Sequence, residues 1–106
     1  MEKTLNFTVD GKAYNLTFTR ATVIATERMG FNVAEVRTKP LNSLVLLWRG
    51  AFLANHDTLT VKEVDDLLDK VQTKGLLDAL LGLYTAPVES LMGEGNEKNL
   101  AAWTVT

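Results

Sequence analysis

His56 is the only histidine in the chain, and it stands beside Asp57. A His next to a carboxylate can act as a general base, but base catalysis needs a nucleophile or a polarised water within hydrogen-bond reach. No such partner accompanies the pair in sequence, so His56 reads as a turn residue. Asp65 and Asp69 lie one helical turn apart with Asp66 between them, and they could share a divalent ion. The spacing of calcium-loop ligands is missing, so a solvated helix face is the simpler reading. Glu27 and Arg28 are adjacent and read as surface charges. There is no cysteine, hence no disulfide, no thiol nucleophile and no thiolate metal site. Glycine-rich phosphate loops, G-x-S-x-G elbows and H-E-x-x-H pairs are also missing. The residue types that do chemistry therefore point to no catalytic residue, no metal site, no cofactor and no small-molecule substrate.

The bulk numbers narrow the remaining classes. The chain has 106 residues and a formal net charge of −2, with 46% hydrophobic and 23% charged residues. That composition suits one globular domain with a real core. Arg20, Arg28, Arg37, Lys39 and Arg49 never cluster, so the basic stripe of a nucleic-acid binder is missing. The start of the chain has neither the basic residues nor the apolar stretch of a signal peptide. The longest apolar run, Leu44 to Trp48, is far too short for a membrane span. Neither nucleic acid nor membrane is expected as a partner.

The elements follow from periodicity. Residues 3–19 read as a β-hairpin, because Leu5, Phe7 and Val9, then Tyr14, Leu16 and Phe18, alternate with polar residues around Asp10-Gly11. A helix is expected over 21–29, stopped by Gly30. Asn32 with Glu35 resembles a short capping arrangement, so a small helix reaching about Arg37 is expected. Pro40 opens a stronger helix over 40–54. Its stripe is Leu41, Leu44, Val45, Trp48, Ala51 and Phe52, yet Leu46, Leu47 and Leu53 outside that stripe are also apolar. Only Asn42, Ser43 and Arg49 form a polar strip, so this helix is either central or keeps a second face for a partner.

Thr60 and Glu63 form a capping box for a helix over 61–73, with Val64, Leu67, Leu68 and Val71 on one face and Asp65, Asp66, Asp69 and Lys70 on the other. Gly75 reads as its C′ residue. A helix over 76–92 carries Leu76, Leu77, Leu80, Leu81, Leu83 and Tyr84, with Thr85-Ala86-Pro87 breaking or restarting it. Residues 1–92 form one compact domain on this reading, and 93–106 a flexible C-terminal tail containing Trp103. The fold class is α+β, mostly α: an N-terminal β-hairpin packed on a small bundle of about four helices. The apolar excess of two helices assigns partner contact to Leu46, Leu47, Trp48, Phe52, Leu53, Leu77, Leu80, Leu81 and Tyr84, because large exposed apolar patches are rare on monomers. Trp103 joins them as a tail residue that either docks on another molecule or folds back on the core.

The stretch FTVDGKAYNLTFT (7–19), with Asp10, Gly11, Lys12, Tyr14 and Leu16 in it, is followed by ATVIATERMG (21–30), leucine-rich helices and a polar tail. Over about residues 5–92 this order resembles the small tail assembly chaperones of long-tailed bacteriophages that infect Gram-positive bacteria. The resemblance implies a non-enzymatic, self-associating chaperone. Its partner would be the long helical tape measure protein, coated before tail tube subunits polymerise around it. It places the chain in the host cell cytoplasm and not in the mature virion. Many such proteins also occur in a longer form made by a programmed ribosomal frameshift. Here the codons GAA AAA AAC for Glu97-Lys98-Asn99 would contain a slippery heptamer. The alternative reading is a phage structural or connector protein that oligomerises and stays in the virion.

Overall fold

A computed structural model describes residues 4–92, with two strands, four α-helices and one 3-10 turn. The fold is α+β, a hairpin followed by helices. The expected tail over 93–106, and Trp103 within it, lie outside the described residues.

Strands β1 (Leu5–Val9) and β2 (Lys12–Leu16) pair antiparallel, with Phe7 opposite Tyr14 and Asn6 opposite Asn15. Asp10 and Gly11 both take positive φ, 52° and 80°, which is the type I′ turn that matches strand twist. The hairpin's inner face carries Leu5, Phe7, Val9, Tyr14 and Leu16, and its outer face carries Asn6, Thr8, Ala13 and Asn15. A lone hairpin is marginal in water, so the inner face packs on helices.

Helix α1 (Arg20–Arg28) starts at a Thr19–Thr22 capping box. It stops at the C-cap Met29, and the expected stop residue Gly30 follows it with φ 109°, a positive φ that suits glycine at C′. The expected small helix is one 3-10 turn, Val33–Glu35, begun by Asn32 Oδ1 accepting from Ala34 N–H. Helix α2 (Pro40–Phe52) ends at Phe52, two residues before the expected Ala54. It runs through the centre of the molecule and packs against α1, α3, α4, the 3-10 turn and β2. This corrects the expected stripe. Leu41 is 71% exposed, whereas Ser43, assigned to the polar strip, is 2% exposed. Small residues turn toward α1: a Cβ on Gly50 would overlap Thr26 Oγ1 and stand 3.0 Å from the Thr26 Cβ. Burial on nearly all sides, rather than amphipathic spacing, decided which residues of α2 point inward.

Helix α3 (Val61–Leu68) begins at the expected Thr60–Glu63 capping box. It ends at Leu68 instead of residue 73. Val71 still packs on the core, but from an irregular turn, so its i+7 spacing imitated a further helical turn. Gly75, at φ 76°, precedes the next helix, and its carbonyl accepts from Ala79 N–H. It is therefore the N-terminal cap of α4 (Leu76–Met92) and not the C′ residue of α3. Pro87 lies inside α4 without breaking it. The helix forgoes the bond Pro87 cannot donate, and Val88 beyond it still packs against the core.

Candidate functional site

The two long edges of the hairpin follow from its turn. A two-residue loop makes Val9–Lys12 a hydrogen-bonded pair, so pairing alternates and leaves the backbone groups of Asn6 and Thr8, and of Ala13 and Asn15, pointing outward. On β2 that edge is occupied. Asn15 N–H donates to His56 Nε2 at 3.1 Å, and Asn15 C=O accepts from Asn55 Nδ2 at 3.2 Å. One step on, Thr17 N–H donates to the Ala51 carbonyl at 3.3 Å. On β1, among the described residues, nothing bonds the outward groups of Asn6 or Thr8, and both residues are exposed.

Beside this open edge lies a groove of about 310 Å³. Leu5 and Phe7 form one wall, Leu76 and Ala79 of α4 and the turn at Val71 form the other, and Trp48 forms the floor. The aromatic stack beneath it is tight. Phe7 stacks on Tyr14 at 5.2 Å and on Trp48 at 5.5 Å, while Phe52 meets Trp48 edge-on at 5.0 Å. Trp48 Nε1 donates to the Val64 carbonyl at 2.7 Å, which fixes the indole and joins α2 to α3. Open backbone groups next to an apolar pocket are the two requirements for adding a strand to a sheet. β1 carries none of the lysines, prolines or bulges that protect edges.

Of the residues assigned to partner contact, Leu46, Leu47, Phe52, Leu80 and Tyr84 are buried in the core outside the groove, and Trp48 is buried beneath it as its floor. Among the described residues α2 is enclosed by other elements, so its second apolar face packs within this chain. Leu53, Leu77 and Leu81 are half-buried and keep some surface. The structure does not gather them with the groove, whose walls come from Leu5, Phe7, Val71 and Ala79. Alternation had placed Leu5 and Phe7 on the inner face, but no sequence signal says which edge of a hairpin stays uncovered.

His56, Asp65 and Glu27, three of the residues considered for chemistry, are engaged in structural bonds. His56 Nε2 meets the backbone N–H and Oδ1 of Asn15, and its ring lies 5.4 Å from Tyr14. Asp65 takes two hydrogen bonds from Arg49, Nε to Oδ1 at 3.0 Å and Nη2 to Oδ2 at 2.7 Å. Those bonds hold the Asp65 carboxyl below its ordinary range and raise the Arg49 guanidinium. Glu27 accepts from Tyr84 Oη at 2.8 Å. Burial, with help from that carboxylate, pushes the Tyr84 phenol up to about 12. Among the described residues, no three His, Asp or Glu side chains converge as a metal site, and no helix is long and apolar enough to cross a membrane.

The family model described as "Domain of unknown function (DUF5055)" matches residues 1–106. No curated protein and no solved structure matches the chain.

Proposed function

The chain belongs to the DUF5055 family, and we propose that it is a non-enzymatic phage tail assembly chaperone. On this reading it binds the tape measure protein, self-associates during tail morphogenesis in the host cytoplasm, and is absent from the finished virion. The observation that carries the reading is the pairing of an uncovered strand edge with an apolar groove in a chain whose reactive side chains serve as clamps. Such a surface suits the binding of a polypeptide, which supports a binding role. The resemblance over residues 5–92 supplies the identity of the partner. The half-buried Leu53, Leu77 and Leu81 offer further apolar surface outside the groove.

The test is to sequence the coding DNA beyond this gene and to co-express the chain with the long helical protein that this reading expects to be encoded there. The expected outcome is that the long protein stays soluble and co-purifies with this chain, which is itself missing from purified particles. Aggregation of the long protein to the same extent with and without this chain would sink the proposal. Retention of this chain in the particle would favour a structural or connector role. Sequencing the coding DNA across Glu97-Lys98-Asn99 tests the frameshift separately.

A further inference from the structure

We infer that the open edge of β1 takes an extended, acidic segment of a partner polypeptide as a third, antiparallel strand, with two apolar side chains at alternate positions seated in the groove. The inference rests on the reading of this surface as a polypeptide-binding site, and it names the form and chemistry of what binds. Backbone geometry sets the form. Asn6 and Thr8 offer N–H and C=O groups that nothing bonds among the described residues. A helix satisfies its own backbone groups and would leave these to water, whereas an extended chain pairs with them. Antiparallel ladders are the more stable per residue, and one more such strand continues the β2–β1 pairing.

Pleating then fixes the spacing. In an antiparallel ladder, residues opposite Asn6 and Thr8 exchange hydrogen bonds with them, and residues opposite Leu5 and Phe7 share the inner face. Leu5 and Phe7 are the β1 wall of the groove, with Leu76 and Ala79 of α4 across from them. The incoming strand therefore lays side chains i and i+2 between β1 and α4, above Trp48. Charge sets the rest. Among the described residues, Lys74 is the one charged residue lining the groove. It is exposed and no carboxylate bonds it, whereas Lys70 is engaged by Asp10 at 3.5 Å. The Lys74 ammonium, on its flexible stem, reaches a carboxylate flanking the apolar pair. A basic segment would meet it as a like charge.

The probe is the peptide Thr-Glu-Thr-Leu-Thr-Phe-Thr-Glu-Thr, blocked at both ends and titrated into the full chain by NMR with amide hydrogen exchange. The expected result is saturable binding, NOEs from the probe's Leu and Phe to Phe7 and Ala79, and roughly tenfold slower exchange at Asn6 and Thr8. N-methylating the central Thr removes the N–H aimed at the Asn6 carbonyl and should abolish binding. So should Ala79→Arg, which fills the groove from an exposed position on α4. Lys74→Glu should weaken binding up to about fivefold, and a probe with Lys for both Glu should restore it. No saturable binding overturns the inference, as does binding that survives N-methylation or leaves Asn6 and Thr8 exchange unchanged. Equal affinity for the Glu and Lys probes overturns the acidic assignment. Binding of a lactam-bridged helix with the same side chains, in place of the extended probe, overturns strand addition and leaves a polypeptide-binding role intact. Protection that grows with protein concentration without any probe also overturns it and assigns the edge to a second copy. Strand addition of the probe, with the long protein still aggregating on co-expression, would sink the chaperone reading alone.

Discussion

Asn6 and Asn15 face each other across the hairpin, the same residue type at one position of the ladder. Asn15 has its backbone N–H and C=O bonded by His56 and Asn55, side chains some 40 positions further along the chain. Asn6 has no counterpart to either clamp among the described residues. The difference arises because the end of α2 and the turn after it run alongside β2, while β1 faces a gap before α4. An edge is closed by whatever the fold brings beside it. The strand's own residues do not decide the matter.

The largest expected effect comes from the floor that both sides of the hairpin share. Trp48→Ala removes the partner of Phe7 and Phe52 and the bond to Val64, and is expected to cost about 3–5 kcal/mol in urea unfolding. Exchange at Asn15 and at the core amides should rise together. If only the β1 side loosened, the floor would not be common to the two flanks.

Next is Gly50→Ala, at the α1–α2 crossing behind the β2 side. Its Cβ has no room beside Thr26, so a loss of about 1–3 kcal/mol is expected. Adding Thr26→Ala, which removes the obstructing hydroxyl and methyl, should recover part of that loss. Strict additivity of the two substitutions would show that the close approach is not the cause.

His56→Ala removes the acceptor of the Asn15 N–H on the β2 edge while Asn55 still bonds the Asn15 carbonyl. The expected cost is about 1 kcal/mol, with faster exchange at Asn15 and no change at Val23 or Thr26. An unchanged Asn15 amide would mean that the imidazole clamp does not protect it.

A further effect, seen only at alkaline pH, leaves both edges alone. The Tyr84 phenol rises from 10.0 in the unfolded chain to about 12 in the fold, through burial first and the Glu27 hydrogen bond second. The folded state therefore holds that proton more tightly. The stability involved is fully present below pH 10 and is lost as pH rises toward 12. Tyr84→Phe should flatten that alkaline limb in a pH series of thermal melts, with hairpin exchange unaltered. Asp65 acts at the other end of the scale. Its lowered carboxyl contributes stability above its ordinary range, and that contribution fades as acid protonates it. Because the pair is partly exposed, the change is under about 1 kcal/mol.

Local chemistry was legible in the residues themselves. Asp10-Gly11 specifies a turn with two positive-φ positions, and the alternation on either side specifies which face of the hairpin is apolar. Thr60 with Glu63 specifies where α3 starts, and Gly30 where α1 stops. Each of these is decided within a few residues, by steric limits on φ or by a side chain reaching its own backbone.

What the tertiary structure decided are the relations between distant segments. Apolar residues around the whole of α2 could not say whether a partner or the rest of this chain covers them, because burial has no direction in sequence. The fold resolves it by enclosing α2. Val71 had helical spacing but packs from a turn, and Gly75 could end one helix or begin another. Packing chose in both cases. The open edge at Asn6 depends on an absence of neighbours, which no periodicity encodes. Among the described residues it exists because α2 and its following turn bond the outward groups of one strand of the hairpin and not those of the other.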